Sequence, residues 1–325
     1  MPVAKTNLAT LVLGCTMLAL VVALLVWADR FDQNPRQDED QATTSAPAPA
    51  LRLGVVPERD IYAQRRRSQA CAQNPRAQLG ARLQLAALRL YPGVLDELAQ
   101  KKIDGAFVGS LVAVLAVDRL GAQLIVKPQQ PDGGWTYRGV VFVREDSPIR
   151  SVRDLSGRTI AMLRATTAGD LFPIYLLHGE GMLDGPEAPT MRWMGTHDQV
   201  IEQVIDGYAD AGAVKDLRLA SFESTHAHTP LRRLAESDPV PNNSLVLRGD
   251  LPPERVAQVR RLLLDMHTTE DGRATLASFG AARFLACELD EFHAIYRMVQ
   301  ALGPAWERLR VDGPAPTMPT MTADE

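Results

Sequence analysis

From residue 51 to residue 248 the chain alternates short apolar runs with stretches of helical periodicity. No other feature limits its possible folds so strongly. Apolar runs occupy residues 51–56 (ending at Pro57), 103–108 (IDGAFV), 123–126, 137–143 (YRGVVFV), 158–163 (RTIAML), 191–194, 210–214 (DAGAV) and 244–248 (SLVLR). Such short runs, often β-branched and bounded by Gly, Pro or polar residues, predict strands. Residues 61–98 read mainly as helices, and further helices are expected from Leu111, over 170–178 and over 198–205. Beyond residue 248 the chain reads as helical. Pro252 or Pro253 opens a helix in which Val256, Val259, Leu263 and Met266 recur at helical spacing. This alternation predicts an α/β fold with parallel sheets covered on both faces. With 325 residues the chain exceeds one ordinary core, so about two lobes are expected.

Residues 8–28 carry no charge, and 21 residues in a helix cross a hydrocarbon core of ~30 Å. Lys5 precedes the segment. Trp27 stands at its far end, and Asp29, Asp32, Asp38, Glu39 and Asp40 follow. A positive flank stays cytoplasmic, so the bulk of the chain is expected outside as a single-pass protein of the inner membrane. Val12, Leu13, Gly14 and Cys15 keep a lipoprotein signal open as the alternative to an uncleaved anchor. Residues 29–50, ending in APAPA, read as a flexible linker. The last dozen residues, with Pro314, Pro316 and Pro319, read as a loose tail. Cys71 and Cys287 are either a disulfide or two buried thiols, and sequence alone leaves both open.

Several function classes find no support. A net charge of −4 supplies no global field for nucleic acid, and Arg65, Arg66 and Arg67 form only a local run. His226 and His228 lack a third ligand at metal spacing. Ser110 in GSLVA lacks the second glycine of a nucleophile elbow, and no Walker loop or G-x-G-x-x-G occurs. No nucleophile, base and orienter can be named together, so the chain is expected not to be an enzyme, and no cofactor is expected.

The strings GVVPE (54–58), IDGAFVGS (103–110), YRGVVFVREDSPIRSVRDLSGRTIAML (137–163), TTAG (166–169), GTHDQVIEQVIDGYADAGAV (195–214) and VPNNSLVLRGDLPPE (240–254) together resemble the periplasmic phosphonate-, phosphate- and phosphite-binding proteins. These are type II solute-binding proteins of ABC transporters. The resemblance spans roughly residues 51–300. It implies a two-lobed type II periplasmic-binding-protein fold with a two-strand hinge, here preceded by an N-terminal transmembrane helix. Lobe 1 would comprise residues 51–140 and 243–325, and lobe 2 residues 141–242. A small oxyanion would bind in the cleft between them.

Thr166, Thr167 and Gly169 are the first candidates for that site. They follow an apolar strand and open a helix, and a helix start offers N–H groups and a positive dipole end to an anion. The family's loop carries a third hydroxyl where this chain has Ala168. Asp170 follows directly, so either its charge points away or the ligand carries less charge. The resemblance places His197 against the oxyanion and Asp210 in the ligand pocket. Ser110, Tyr137 and Glu58 are further candidates. Each has a structural alternative: Thr166 as a helix cap, His197 as a capping or surface histidine, Asp210 as a strand-end carboxylate paired with Lys215, and the last three as core or hinge packing. The implied partners are an ABC permease and ATPase, or a sensor kinase if the chain signals rather than transports. A monomer is expected.

Overall fold

The computed structural model describes residues 51–55, 83–87, 93–278 and 280–309. The apolar segment 8–28, the linker, Glu58, Cys71 and the Pro-rich tail fall outside these residues. Among the described residues no helix is long and apolar enough to cross a membrane.

In chain order the first block holds β1 (Leu51–Val55), β2 (Leu83–Ala87), α1 (Val94–Ala99), β3 (Gly105–Val108), α2 (Ser110–Leu120) and β4 (Gln123–Gln129). A two-residue strand, β5 (Thr136–Tyr137), leads into β6 (Gly139–Arg144) and β7 (Thr159–Leu163). A π-turn at Thr167–Leu171 runs directly into α3 (Phe172–Gly179). Next come β8 (Thr190–Met194), α4 (His197–Ile205), β9 (Ala211–Lys215), α5 (Asp216–Thr225) and β10 (Leu231–Glu236). The chain returns through β11 (Val240–Pro241) to β12 (Ser244–Leu247). It ends in α6 (Pro253–Asp265), α7 (Glu270–Ser278), β13 (Arg283–Ala286), α8 (His293–Leu302) and α9 (Pro304–Leu309).

Six strands form one sheet in the order β13-β4-β12-β3-β1-β2, and five form another in the order β10-β6-β9-β7-β8. A two-stranded ribbon joins them, with Val240 opposite Tyr137 and Pro241 opposite Thr136. This is a two-lobed α/β architecture with two crossings. The expectation of purely parallel sheets needs correction, because both are mixed. β1–β2, β1–β3, β7–β8 and β7–β9 run parallel. β12 and β6, the strands that carry the chain out of the crossings, run antiparallel to their neighbours. Two further expectations are overturned. Residues 83–87, read within a helical stretch, add to the β1 edge as a parallel strand. Residues 283–286, placed in an all-helical C-terminal region, pair antiparallel with β4.

Close strand packing explains the glycine at position 105. A Cβ on Gly105 would lie 2.4 Å from Leu247 Cδ2 and 2.5 Å from the Val246 carbonyl oxygen. Backbone cannot yield as a flexible side chain can. Gly105→Ala is therefore expected to destabilise the protein by about 1–3 kcal/mol through overpacking. Denaturant unfolding checks this, and an unchanged midpoint would show that β12 can move aside.

The apolar core is divided unequally. A smaller cluster lies against α6 and includes Leu53, Phe107, Ile125, Leu247, Val259 and Phe284. The larger one runs without a break from α2 through the π-turn and the second sheet to α8. Helix α8 touches both α2 and α3, so it packs on both lobes. Its buried face, including Ile295, Tyr296 and Val299, follows the 3.6-residue period of an amphipathic helix. The Tyr296 hydroxyl donates to Asp118 Oδ1 at 2.9 Å, and burial beside that carboxylate pushes its pKa up.

A buried ion pair secures β4 near the ribbon. The Lys127 ammonium, 3% exposed, bonds the Glu291 carboxylate and lies 3.0 Å from the Ala286 carbonyl oxygen. It also stands 4.3 Å above the Trp135 ring. Beside this pair Cys287 is a buried free thiol 3.4 Å from Ser244 Oγ, and burial pushes its pKa up to about 11.

Candidate functional site

β7 delivers the chain to a loop held by its own side chains. Ala165 adopts a positive φ of 58°, which turns the backbone out of the strand. Thr166 then caps the helical run: its Oγ1 accepts from the Gly169 N–H at 3.0 Å and donates to the Leu163 carbonyl at 2.9 Å. The capping reading of Thr166 is therefore realised, and its hydroxyl shapes the loop. Asp170 folds back, and its Oδ2 accepts from the Ala165 N–H at 2.7 Å. A Cβ on Gly169 would lie 2.8 Å from Leu163 Cβ, so the turn closes only over glycine. A π-turn inside or beside an α-helix is uncommon and recurs at functional sites.

Thr167 faces the other sheet's helix. Its Oγ1 accepts from the Leu111 N–H at 3.1 Å, and the accepted bond leaves the hydroxyl proton to donate elsewhere. Leu111 lies in the first turn of α2, whose N-cap is Gly109. Ser110 Oγ, fully buried, donates to the Pro241 carbonyl of the ribbon and lies 3.4 Å from the Tyr137 hydroxyl. Two helical starts, the α2 first turn and the Thr166 loop, thus meet directly, with the ribbon beside them.

Sheet register adds a third helical start. Leu163 at the end of β7 pairs with Met194 at the end of β8. Thr166 and His197 each come three residues after that pair, at the same end of the sheet. His197 is 1% exposed and begins α4, and the Thr196 side chain caps that helix by accepting from the Gln199 N–H at 3.1 Å. In open α/β sheets the carboxyl ends of parallel strands, where helices begin, are where ligands bind.

Asp210 does not belong to this group, and its assignment to the ligand pocket is corrected here. Its Oδ2 accepts from the Thr159 N–H at 2.9 Å, and its Oδ1 lies 3.9 Å from Arg158. Thr159 and Ala211 are the first residues of parallel strands, so Asp210 sits at the opposite end from Thr166. Its ionic partner is Arg158, not Lys215. Glu58 lies outside the described residues.

Lys215 joins the candidate group by position, though the sequence had offered it only as a partner for Asp210. It ends β9 at the same edge as Thr166 and is 6% exposed. Its Nζ lies 3.1 Å from Asn242 Oδ1 and 3.1 Å from Asn243 Oδ1, and 4.6 Å above the Tyr137 ring. A lysine closing the otherwise apolar run AGAV, and an Asn pair just before a strand, were the available signals.

The family described as the periplasmic substrate-binding proteins of phosphonate ABC transporters matches residues 53–292, most of the chain. The chain belongs to this family. Its members bind substrate for transport outside the cytoplasm and are not enzymes. The phosphonates-binding periplasmic protein of Escherichia coli K12 is 23% identical over 282 residues, covering 83% of this chain and 81% of that protein. Two solved structures share the fold. A binding protein component of an ABC phosphonate transporter from Pseudomonas aeruginosa has a TM-score of 0.65 at 19% identity, over 82% of this chain and 90% of the other. PhnD1 from Prochlorococcus marinus, solved with methylphosphonate, has a TM-score of 0.62 at 18% identity, over 78% of this chain and 98% of the other. As a phosphonate-family binding protein, the chain works with a permease and an ATPase. Family membership favours that transport role over signalling.

Proposed function

We propose that this phosphonate-family protein clamps a small phosphorus oxyanion between its two lobes. The contacting groups are the Thr166–Gly169 loop, the α2 start at Ser110 and Leu111, and His197. The observation that carries this reading is the bond from the Leu111 N–H to Thr167 Oγ1, which brings two helical starts from different sheets together. Helix starts carry a positive dipole end and N–H groups without intrahelical acceptors. Two of them facing each other make a natural cradle for a tetrahedral anion, with one lobe on each side.

Tyr137 and Ser110 brace the hinge side of that cradle. Of the described residues, those within 51–140 and 243–309 make lobe 1 and those within 141–242 make lobe 2, with the β5–β11 ribbon as the hinge. Capture closes the lobes by stabilising the closed state more than the open one. The uncharged segment 8–28 supports a single-pass anchor that keeps the lobes beside the permease.

A thermal-shift screen of the full-length chain in detergent tests the ligand class. The panel holds phosphate, phosphite, sulfate and methylphosphonate, with amino acids and sugars as controls. A ligand at 100 times its Kd adds about 2.7 kcal/mol, which raises Tm by roughly 4–5 °C for a protein of this size. A selective rise with a phosphorus oxyanion is expected. A rise with only an amino acid or a sugar would sink the reading.

A further inference from the structure

We infer that Asp170 is a positioning residue for oxyanion binding: its carboxylate, not the ligand, holds Thr167 in place. This rests on the oxyanion reading above and deepens it.

A carboxylate directly after an anion loop is unexpected, because its charge opposes what the loop is proposed to bind. Geometry supplies the reason for it. Asp170 is 2% exposed and grips the loop twice. Its N–H donates to the Thr166 carbonyl at 3.1 Å, and its Oδ2 accepts from the Ala165 N–H at 2.7 Å. Thr166 in turn accepts from the Gly169 N–H through Oγ1. Thr167 stands between these tied residues, and its Oγ1 is the atom that meets the Leu111 N–H of the other lobe.

Ala165 is where the grip is needed. Its φ of 58° lies in the left-handed region, which a residue with a Cβ adopts at a cost. Such a conformation persists only where neighbouring bonds over-determine it. The Ala165 N–H is the group that the Asp170 side chain holds, so losing that acceptor frees the strained residue first. A buried N–H left without its acceptor adds to the drive for another conformation. Once other loop conformations are populated, the apparent Kd rises by the inverse of the fraction still competent. A residue that only stabilised the fold would lower the melting temperature and leave the Kd of the folded chain unchanged.

Calorimetry on the full-length chain in detergent tests this, with methylphosphonate or, if it binds more tightly, phosphate. Asp170→Ala is expected to raise the Kd at least about tenfold, which corresponds to a competent fraction of about a tenth. Asp170→Asn keeps an acceptor oxygen for the Ala165 N–H and should bind within about threefold of wild type, or more tightly. Hydrogen exchange supplies a readout specific to the loop. Without ligand, the amides of residues 165–171 in Asp170→Ala should exchange at least about tenfold faster than in wild type. They should regain protection with saturating ligand, while the amides of β3 and β4 stay as in wild type. Should Asp170→Ala fail to fold, Asp170→Ser, polar but one bond shorter, serves the same comparison. Wild-type affinity in Asp170→Ala, an equal loss in Asp170→Asn, or faster exchange throughout both lobes overturns the inference. Those outcomes leave oxyanion binding intact. A wild-type chain that binds neither methylphosphonate nor phosphate strikes the oxyanion reading itself, and the inference with it.

Discussion

Thr167→Ala is expected to raise the Kd for methylphosphonate by about 10- to 100-fold, the cost of a hydrogen bond to a charged group. Thr166→Ala combined with it is expected to raise the Kd by about 100- to 1,000-fold, because the loop then loses its cap as well as its donor. The two residues act differently. Thr166 uses its hydroxyl within the loop, on Gly169 and Leu163, while Thr167 meets the α2 start. The cap loss lowers stability by only about 1 kcal/mol, so the double variant should remain folded. Calorimetry and a melting curve on the same samples separate the two effects. Wild-type affinity in the double variant would remove the Thr166–Gly169 loop from the site.

The second large effect concerns stability. Glu291→Ala strands the buried Lys127 ammonium against the Ala286 carbonyl oxygen and the Trp135 face. Removing one partner of a buried ion pair costs about 3–5 kcal/mol. For a chain of this size that lowers Tm by roughly 4–9 °C. Replacing both partners, as Lys127→Met with Glu291→Leu, should restore most of the loss, since an apolar pair leaves no charge uncompensated. If the double variant is as unstable as Glu291→Ala, the loss comes from packing and not from the stranded charge.

The strand–turn–helix units were legible because each combines one short apolar run with a polar helix start. RTIAML followed by TTAG, IDGAFV followed by GS, and the run before GTHDQ all appear where expected. β2 was not legible. LQLAALRL fits both a helical and an alternating period, and only the free β1 edge makes it a strand. β13 is four residues long between helices, too short to carry a period of its own.

Site errors came from strand polarity. Asp210 and Lys215 flank the same apolar run, AGAV. A parallel strand offers its ligand edge at the carboxyl end, so Lys215 stands at that edge and Asp210 at the far one. The resemblance had favoured the carboxylate, whereas strand direction puts the lysine at that edge. The crossing residues Asn242 and Asn243 were invisible as contacts because they meet Lys215 only through the return of the chain.

The folded-back Asp170 bears on the timing of capture. Its carboxylate and the Thr166 hydroxyl hold the positive-φ turn at Ala165 without help from any solute. Conformational freedom in the loop is thus surrendered when the chain folds, not when the ligand arrives. On the proposed reading an incoming anion would meet a finished surface, leaving lobe motion, rather than loop ordering, to set how fast it is taken up.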